Sequence, residues 1–376
     1  MIFMQMETIK TPSLILDAAR MKRNAERMSI RAKQLNTALR PHVKTHKCVE
    51  IAKIQTAETD GAIMVSTLAE ARLFANNNFV DITYGVPIEA GKFAEAIEIS
   101  RRCERFSVLT DEAETVKNLN RAARSENEKI NVFVKIDTGY HRCGVEPRAP
   151  EAVEIPRLIA DLSNLNFAGI LAHAGHSYHA RIPEELLTIA QTERDSMKNL
   201  AENLRADGLD VPCVSIGSTP TISKIDHLAG VTEARCGNYI FFDAFQATLG
   251  SCAFEDCALT VLAAIIHRDA ARQKIVVDAG AIALSKDRGA VEFDASCGYG
   301  RVYDLAGEDL NLRVESLSQE HGAITVKDPA IFNRLKVGSR VRILANHSCL
   351  TAAQHDFYHV LNDGKIVDKW RIYGGW

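Results

Sequence analysis

The sequence predicts an α/β protein, a (β/α)8 barrel of the TIM type followed by an antiparallel β domain. Three observations carry this expectation. Short apolar strands alternate with helices of about 10–18 residues, roughly eight times before residue 245, as parallel βα units do, and eight units over about 240 residues is the size of such a barrel. Polar side chains recur at strand C-terminal ends, namely Lys44, Ser66, Asp137, His173 and Ser218, and barrel active sites lie on that face. After about residue 250 the helical patterns thin out and short β-rich runs take over. A doubly wound parallel sheet is the alternative for the first part, and the strand-end polar residues favour the barrel. Residues 11–250 are thus read as the barrel and 251–376 as the β domain, which residues 1–10 are expected to join as an extra strand.

Thr11–Asp17 reads as a strand entered through Pro12, and Ala18–Leu35 as the helix after it. In Pro41–Lys47 the residues His42, Lys44 and His46 alternate with Val43 and Thr45, so a short strand would place all three on one face. A lysine crowded by cations has its ammonium form disfavoured and becomes a nucleophile near neutral pH. Taken alone, such a run reads more readily as a solvated basic edge strand. A helix over Val49–Ala57 leads to a strand at Ala62–Ser66, and Ser66 or Thr67 can cap the helix carrying Ala69–Phe74. The pattern repeats with strands at Asp81–Val86, Phe106–Thr110, Asn131–Asp137, Phe167–His173 and Cys213–Gly217. The β-rich runs that follow are Val261–Ile266, Lys274–Val277, Ala323–Val326 and Arg340–Leu344, continued by Val360, Ile366-Val367 and Trp370–Ile372.

Composition narrows the function classes. An apolar fraction of 46%, a charged fraction of 25% and a net charge of −3 are those of an ordinary soluble protein. They offer no electrostatic grip on nucleic acid or an acidic membrane. No apolar run reaches the roughly 18 residues of a transmembrane helix, and Met1–Met6 is too short for a signal peptide and lacks its cationic end. The 9 cysteines are odd in number, scattered and without a CxxC pair, which argues against a disulfide framework and for a reducing, cytoplasmic setting.

Four stretches carry chemistry. Asp137-Thr138-Gly139-Tyr140-His141-Arg142-Cys143-Gly144 closes a strand and presents Arg142 at the barrel mouth, where a planar, permanently charged fork suits a fixed acceptor oxygen. An Asp137–Arg142 structural pair is the plainer account. His173 ends a strand, where a lone histidine is more often a satisfied structural residue, but the small Ala174 and Gly175 after it leave its ring face open to a flat ligand. Ser215-Ile216-Gly217-Ser218-Thr219-Pro220-Thr221 supplies backbone N–H groups and hydroxyls suited to phosphate, and Arg235-Cys236-Gly237-Asn238-Tyr239 offers a second turn. Phosphate loops after the last two barrel strands are common. Finally, His347-Ser348-Cys349 follows a strand. In an extended segment its imidazole and thiol share one side, and thiolate with imidazole selects Zn2+ over Mg2+. A buried cysteine beside a structural histidine is the alternative, and His355, Asp356 and His359 stand nearby as supporting or surface groups.

PHVKTHK, DTGYHRCG, HAGHSY, SIGSTPT, GNYIFFD and HSC occur in this order. Together they resemble the pyridoxal-phosphate enzymes of the alanine-racemase-like barrel fold, in the branch of D-serine dehydratases and D-threonine aldolases, over nearly the whole chain. The resemblance implies that Lys44 holds pyridoxal phosphate as a Schiff base. It places Arg142 at the phenolic oxygen, His173 on the ring, Tyr178 near cofactor and substrate, and Thr219, Gly237 and Asn238 at the phosphate. Arg235 stands where racemases keep an arginine near the pyridine nitrogen, a position at which this branch varies. His347 and Cys349 match the zinc pair of the dehydratases, whereas the aldolases typically carry His-x-Asp.

The implied activity is a zinc-assisted loss of water from a D-3-hydroxy amino acid, D-serine above all, giving pyruvate and ammonia, with Lys44 as the Cα base. D-threo-3-hydroxyaspartate dehydration is a competitor, as is retro-aldol cleavage of D-threonine or D-3-hydroxyaspartate to glycine and an aldehyde. A non-enzymatic alternative is a pyridoxal-phosphate homeostasis protein, although those are single barrels without a further domain. A homodimer is expected by resemblance alone, and His42, His46 and Lys47 become tuning or structural residues.

Overall fold

The computed structural model describes residues 6–376. Along the chain the strands are β1 (Ser13–Asp17), β2 (Ala38–Leu39), β3 (Ile63–Val65), β4 (Asp81–Pro87), β5 (Arg105–Thr110), β6 (Ile130–Ile136), β7 (Leu165–Ala172), β8 (Val214–Ile216) and β9 (Glu233–Ala234). They continue as β10 (Leu259–Asp269), β11 (Lys274–Val277), β12 (Arg301–Tyr303), β13 (Asp309–Arg313), β14 (Ser316–Leu317), β15 (Gly322–Thr325), β16 (Arg340–Leu344), β17 (Phe357–Asn362) and β18 (Lys365–Arg371). The chain forms two compact units. One comprises Glu26–Lys44, Ile51–Gly237 and Gly375–Trp376, and the other comprises the residues up to Ala25, Thr45–Glu50 and Asn238–Gly374.

The first unit is a curled parallel sheet in the order β2-β9-β8-β7-β6-β5-β4-β3. Its two edges meet at a bridge between His42 and Met64, where Met64 N–H donates to the Pro41 carbonyl at 2.9 Å. Helices follow the strands as the alternating pattern predicts. Thr67 is the cap expected before Leu68–Ala75: its hydroxyl accepts from Glu70 N–H at 3.0 Å, and the Glu70 carboxylate accepts from Ser66 N–H at 2.7 Å. Met64, Leu109, Phe133 and Leu171 pack together as an apolar cluster of this sheet.

A string of polar groups is buried in the same unit. Arg40 bonds Asp81 at 2.7 Å and Glu233 at 2.6 Å, Glu233 accepts from the Ser215 hydroxyl at 2.6 Å, and that hydroxyl accepts from Arg235 Nε at 2.6 Å. Arg235 also donates to the Ala172 carbonyl at the end of β7. The string thus runs from the start of β4 to the end of β7, with each buried charge meeting an opposite charge or a hydrogen-bond partner.

The second unit is a mixed, mostly antiparallel sheet in the order β13-β12-β16-β10-β1-β17-β18, with β11, β15 and β14 extending it from β10. β1, read from sequence as a barrel strand, lies here, antiparallel to β10 and parallel to β17. Leu14, Ile15 and Leu16 are all fully buried. An unbroken apolar run of this kind states that both faces are covered and not which sheet covers them. In the barrel sheet its place is taken by β2 and β9, each two residues long, too short to show a period.

Of the N-terminal strand expected over residues 1–10, residues 1–5 lie outside the described residues. Met6–Thr8 forms a 3-10 turn whose Met6 carbonyl accepts from Arg340 at 2.9 Å. Among the described residues no helix is long and apolar enough to cross a membrane, and all nine cysteines are free thiols.

Candidate active site

Lys44 sits on a 3-10 turn, Val43–Thr45, and not on the strand expected there. The reason is burial: His42, Val43, Thr45 and His46 are all buried while Lys44 is exposed, a pattern that alternation cannot produce and a helical turn can. His42 Nε2 lies 3.4 Å from the Ser66 hydroxyl, and its Nδ1 is buried with no hydrogen-bond partner. Burial, and then the charges of Lys44, Arg235 and His173, push the His42 imidazole well below the ordinary histidine range.

His173, just after β7, places Nδ1 3.2 Å from the Gly217 carbonyl. Burial, followed by Lys44, Arg235 and Lys135, drives it well below the usual range as well, so it is a neutral imidazole donating from Nδ1. Lys44, His173 and Arg235, separated widely in sequence, are therefore electrostatic neighbours, joined by His42 and Lys135. Arg235 is buried, and it spends Nη1 on the Met64 thioether at 3.3 Å, a poor acceptor for a guanidinium.

Arg142 is exposed, with its guanidinium carbon 5.0 Å from the centre of the Tyr140 ring, and that ring stands edge-on to His173 at 6.2 Å. The Asp137 carboxylate binds the loop and not Arg142, accepting from the N–H groups of Gly139, Tyr140 and His141 at 3.0, 2.9 and 3.1 Å. Tyr178 lies on the 3-10 turn Gly175–His179, tied to the next loop through Ser177 and Ser218, whose hydroxyls are 3.0 Å apart. Thr219 is buried at the start of the helix Thr219–Lys224, capped reciprocally by Ser218 and Thr221. Gly217 before it has φ +117°, and a Cβ there would meet Ile222 at 3.0 Å, so glycine is required.

These groups fit pyridoxal phosphate. An exposed lysine stands among buried cationic and neutral nitrogen groups, one histidine nitrogen is unpartnered, and one arginine donor faces only a thioether.

Gly237 is buried, and Asn238 begins the turn Asn238–Ile240. The Asn238 amide nitrogen has three near partners. It lies 2.7 Å from Asp243 Oδ2, 3.1 Å from Ser348 Oγ and 3.5 Å from Cys349 Sγ. Asp243 Oδ2 also accepts from the Ser348 N–H at 2.9 Å and hydroxyl at 3.0 Å. His347 caps the short helix Ser348–Ala352, so the expected extended segment is a helix start, and the pair is brought together by the first turn instead of by strand alternation.

His347 Nδ1 is 2.7 Å from Asp287 Oδ2. Burial alone would lower this imidazole, but Asp287 and Cys349 more than offset it and hold it well above the ordinary range. Burial would raise the Cys349 thiol, and hydrogen bonding to His347 brings it down overall. A thiol disposed to ionise beside an imidazole oriented by a carboxylate is a donor set that fits Zn2+. Among the described residues no group of three His, Cys, Asp or Glu side chains gathers round an ion, so the fit is to two protein donors with positions left open. His355, Asp356 and His359 line a separate depression of about 660 Å3 with Asp278 and Lys369.

Sequence reasoning missed Lys135, Glu193, Asp243 and Asp287. Lys135 left a trace as the lone charge in the apolar run Ile130–Ile136, and Glu193 as a charge on the apolar stripe of the helix Pro183–Ala206.

Residues 16–244 match the family model for the alanine racemase N-terminal domain, and residues 258–361 match that for the putative serine dehydratase domain. The chain belongs to the D-serine dehydratase-like family of the alanine-racemase fold. It is 39% identical to the D-threo-3-hydroxyaspartate dehydratase of Delftia sp. over 98% of both chains, and 36% identical to the D-serine dehydratase of Dictyostelium discoideum, again over 98% of each. A D-threonine aldolase of Arthrobacter sp. is 29% identical over 97% of this chain and 92% of its own. The solved Delftia enzyme superposes with a TM-score of 0.95 at 38% identity, covering 99% of this chain and 100% of that one. The family resemblance drawn from the motifs is thereby borne out, and the protein is an enzyme, a lyase of this family.

Proposed function

We propose that the protein is a pyridoxal-phosphate- and zinc-dependent dehydratase that eliminates water from a D-3-hydroxy amino acid, with D-serine giving pyruvate and ammonia. The observation that carries this is the His347–Cys349 pair, with Asp287 2.7 Å from the imidazole. A dehydratase needs help with a poor leaving group, and a racemase would leave the pair without a task. Lys44, Arg142, His173, Tyr178, Thr219, Arg235, Gly237 and Asn238 would hold pyridoxal phosphate, which when bound supplies an electron sink for charge developing at Cα. His347 and Cys349 would hold Zn2+, which supplies Lewis-acid assistance at a β-hydroxyl.

The chain's own contribution begins with Lys44. Its amine takes the Cα proton on the one face it occupies. Tyr178 is the second group assigned to proton handling at the substrate. The neutral His173 ring adds no charge to the flat face it presents, and Ser218, Thr219 and the adjoining backbone hold the anionic end. Support for the metal comes from D-threo-3-hydroxyaspartate dehydratase, for which structures exist with a histidine and with a cysteine replaced, the latter in a metal-free form. The two replaced residues are two positions apart, the spacing of His347 and Cys349. The proposal includes a cytoplasmic homodimer.

D-serine, D-threo-3-hydroxyaspartate and D-threonine are to be supplied in parallel, and the products identified. Keto acid with ammonia is the expected result. Glycine with an aldehyde and no keto acid would replace the dehydratase by an aldolase. Lys44→Ala is expected to abolish both turnover and the visible absorbance band of the bound cofactor. Turnover that survives thorough chelation would remove the zinc role.

A further inference from the structure

We infer that Glu193 is the positioning residue for His173, because one of its carboxylate oxygens holds the peptide groups on both sides of the His173–Gly217 hydrogen bond. Glu193 lies on the long helix Pro183–Ala206, on the stripe formed by Leu186, Ala190, Met197, Leu200 and Leu204, all buried. The helical period calls for an apolar residue at that position. Instead a carboxylate with no solvent exposure occupies it.

Its Oε1 accepts from Ala174 N–H at 2.8 Å and from Gly217 N–H at 3.4 Å. Ala174 is the chain neighbour of His173, and the Gly217 carbonyl is the group 3.2 Å from His173 Nδ1. One oxygen therefore ties the end of β7 to the end of β8, holding the peptide after His173 and the N–H of the residue whose carbonyl orients the imidazole. Oε2 is buried and has no hydrogen-bond partner. A buried carboxylate with an idle oxygen costs more than a leucine of similar bulk, so packing alone does not account for it.

The chemical consequence concerns the proton on His173. With Nδ1 directed at a carbonyl, the neutral ring must carry its proton there, leaving Nε2 bare. Arg235 and Lys135 also act on Glu193, offsetting part of the burial that raises its carboxyl above the usual range. On the cofactor assignment proposed above, on which this inference rests, Glu193 presents the pyridine ring with a fixed, uncharged imidazole.

The test uses the cofactor-free full-length chain with Glu193→Gln, which keeps an amide oxygen as acceptor, and Glu193→Leu, which keeps bulk and removes it. Two quantities are read: affinity for pyridoxal phosphate by fluorescence titration, and the His173 tautomer by long-range 15N–1H correlation, assigned with His173→Gln. Glu193→Leu is expected to weaken cofactor binding about tenfold or more and to convert a single Nδ1–H tautomer into an averaged signal. Glu193→Gln should restore the tautomer and bring affinity within about threefold of the parent. A folded Glu193→Leu chain with the parental tautomer, or with the parental affinity, would overturn the inference. So would a Gln variant as impaired as the Leu one. If the parent chain binds no pyridoxal phosphate, the proposed function falls, and the tautomer measurement still decides the role of Glu193.

Discussion

Replacing Lys135 by methionine is expected to stabilise the protein at neutral pH by about 1–2 kcal/mol, and the gain is expected to reverse in base. Lys135 is 5% exposed on β6, and its ammonium donates to the Ile136 carbonyl at 2.8 Å. Burial, then Arg235, lowers it from the ordinary 10.5 to about 8, with Cys143 and Glu193 pulling back and Arg142 adding to the push. Between those values the unfolded chain holds a proton that the folded chain has released, so stability rises with pH across this window. Below about pH 8 both states are protonated, and the folded state carries the full cost, about 3 kcal/mol. Methionine removes that cost while conserving volume, at about 1 kcal/mol for imperfect packing and a similar amount for the lost hydrogen bond. Urea midpoints of parent and variant, compared from pH 7 to 10.5, isolate the effect because every other titrating group is common to both. A variant less stable at pH 7, or a difference that does not change with pH, would refute the reasoning.

Three further outcomes follow from named contacts. Arg40→Met leaves Glu233 buried without its cation and Asp81 with Arg105 alone, and is expected to cost about 3–5 kcal/mol in urea unfolding. Asp287→Asn removes the carboxylate 2.7 Å from His347 Nδ1 and, on the zinc assignment proposed above, should weaken zinc affinity about 10–100-fold, read by competition with a chromophoric chelator. Burial would raise the Asp137 carboxyl, but the N–H groups of His141, Gly139 and Tyr140, with the His141 ring, hold it below the ordinary 3.8. Its contribution is therefore present above about pH 4 and lost as pH falls through the folded value. Thermal unfolding should show the Asp137→Asn variant less stable near neutrality, with the gap closing in acid.

Much of the candidate site was legible because its parts are local. A lysine after Pro41, a histidine closing an apolar strand, a Gly-Ser-Thr-Pro turn and a His-x-Cys pair are each visible within a few residues, and barrel topology brings strand ends together whatever lies between them. What was misjudged was conformational. The Lys44 segment is a turn, since Val43 is buried alongside His42. His347 and Cys349 meet through a helix start. The barrel count of eight was right with different members, β2 and β9 standing in for β1 and for the strand expected around Lys44.

The sequence by itself determined the order of elements, the two-part architecture and the family, because periodicity, turn chemistry and motif order are properties of neighbouring residues. The tertiary structure alone decided which sheet receives Leu14–Leu16, since an apolar run buried on both faces does not name its partners. It also decided which carboxylates lie against His347 and at the ends of β7 and β8. Asp287 reaches His347 across 60 positions, and Glu193 reaches Ala174 and Gly217 across 19 and 24. Contacts of that span are made by the fold, and the burial that gives them their strength exists only once the chain has closed around them.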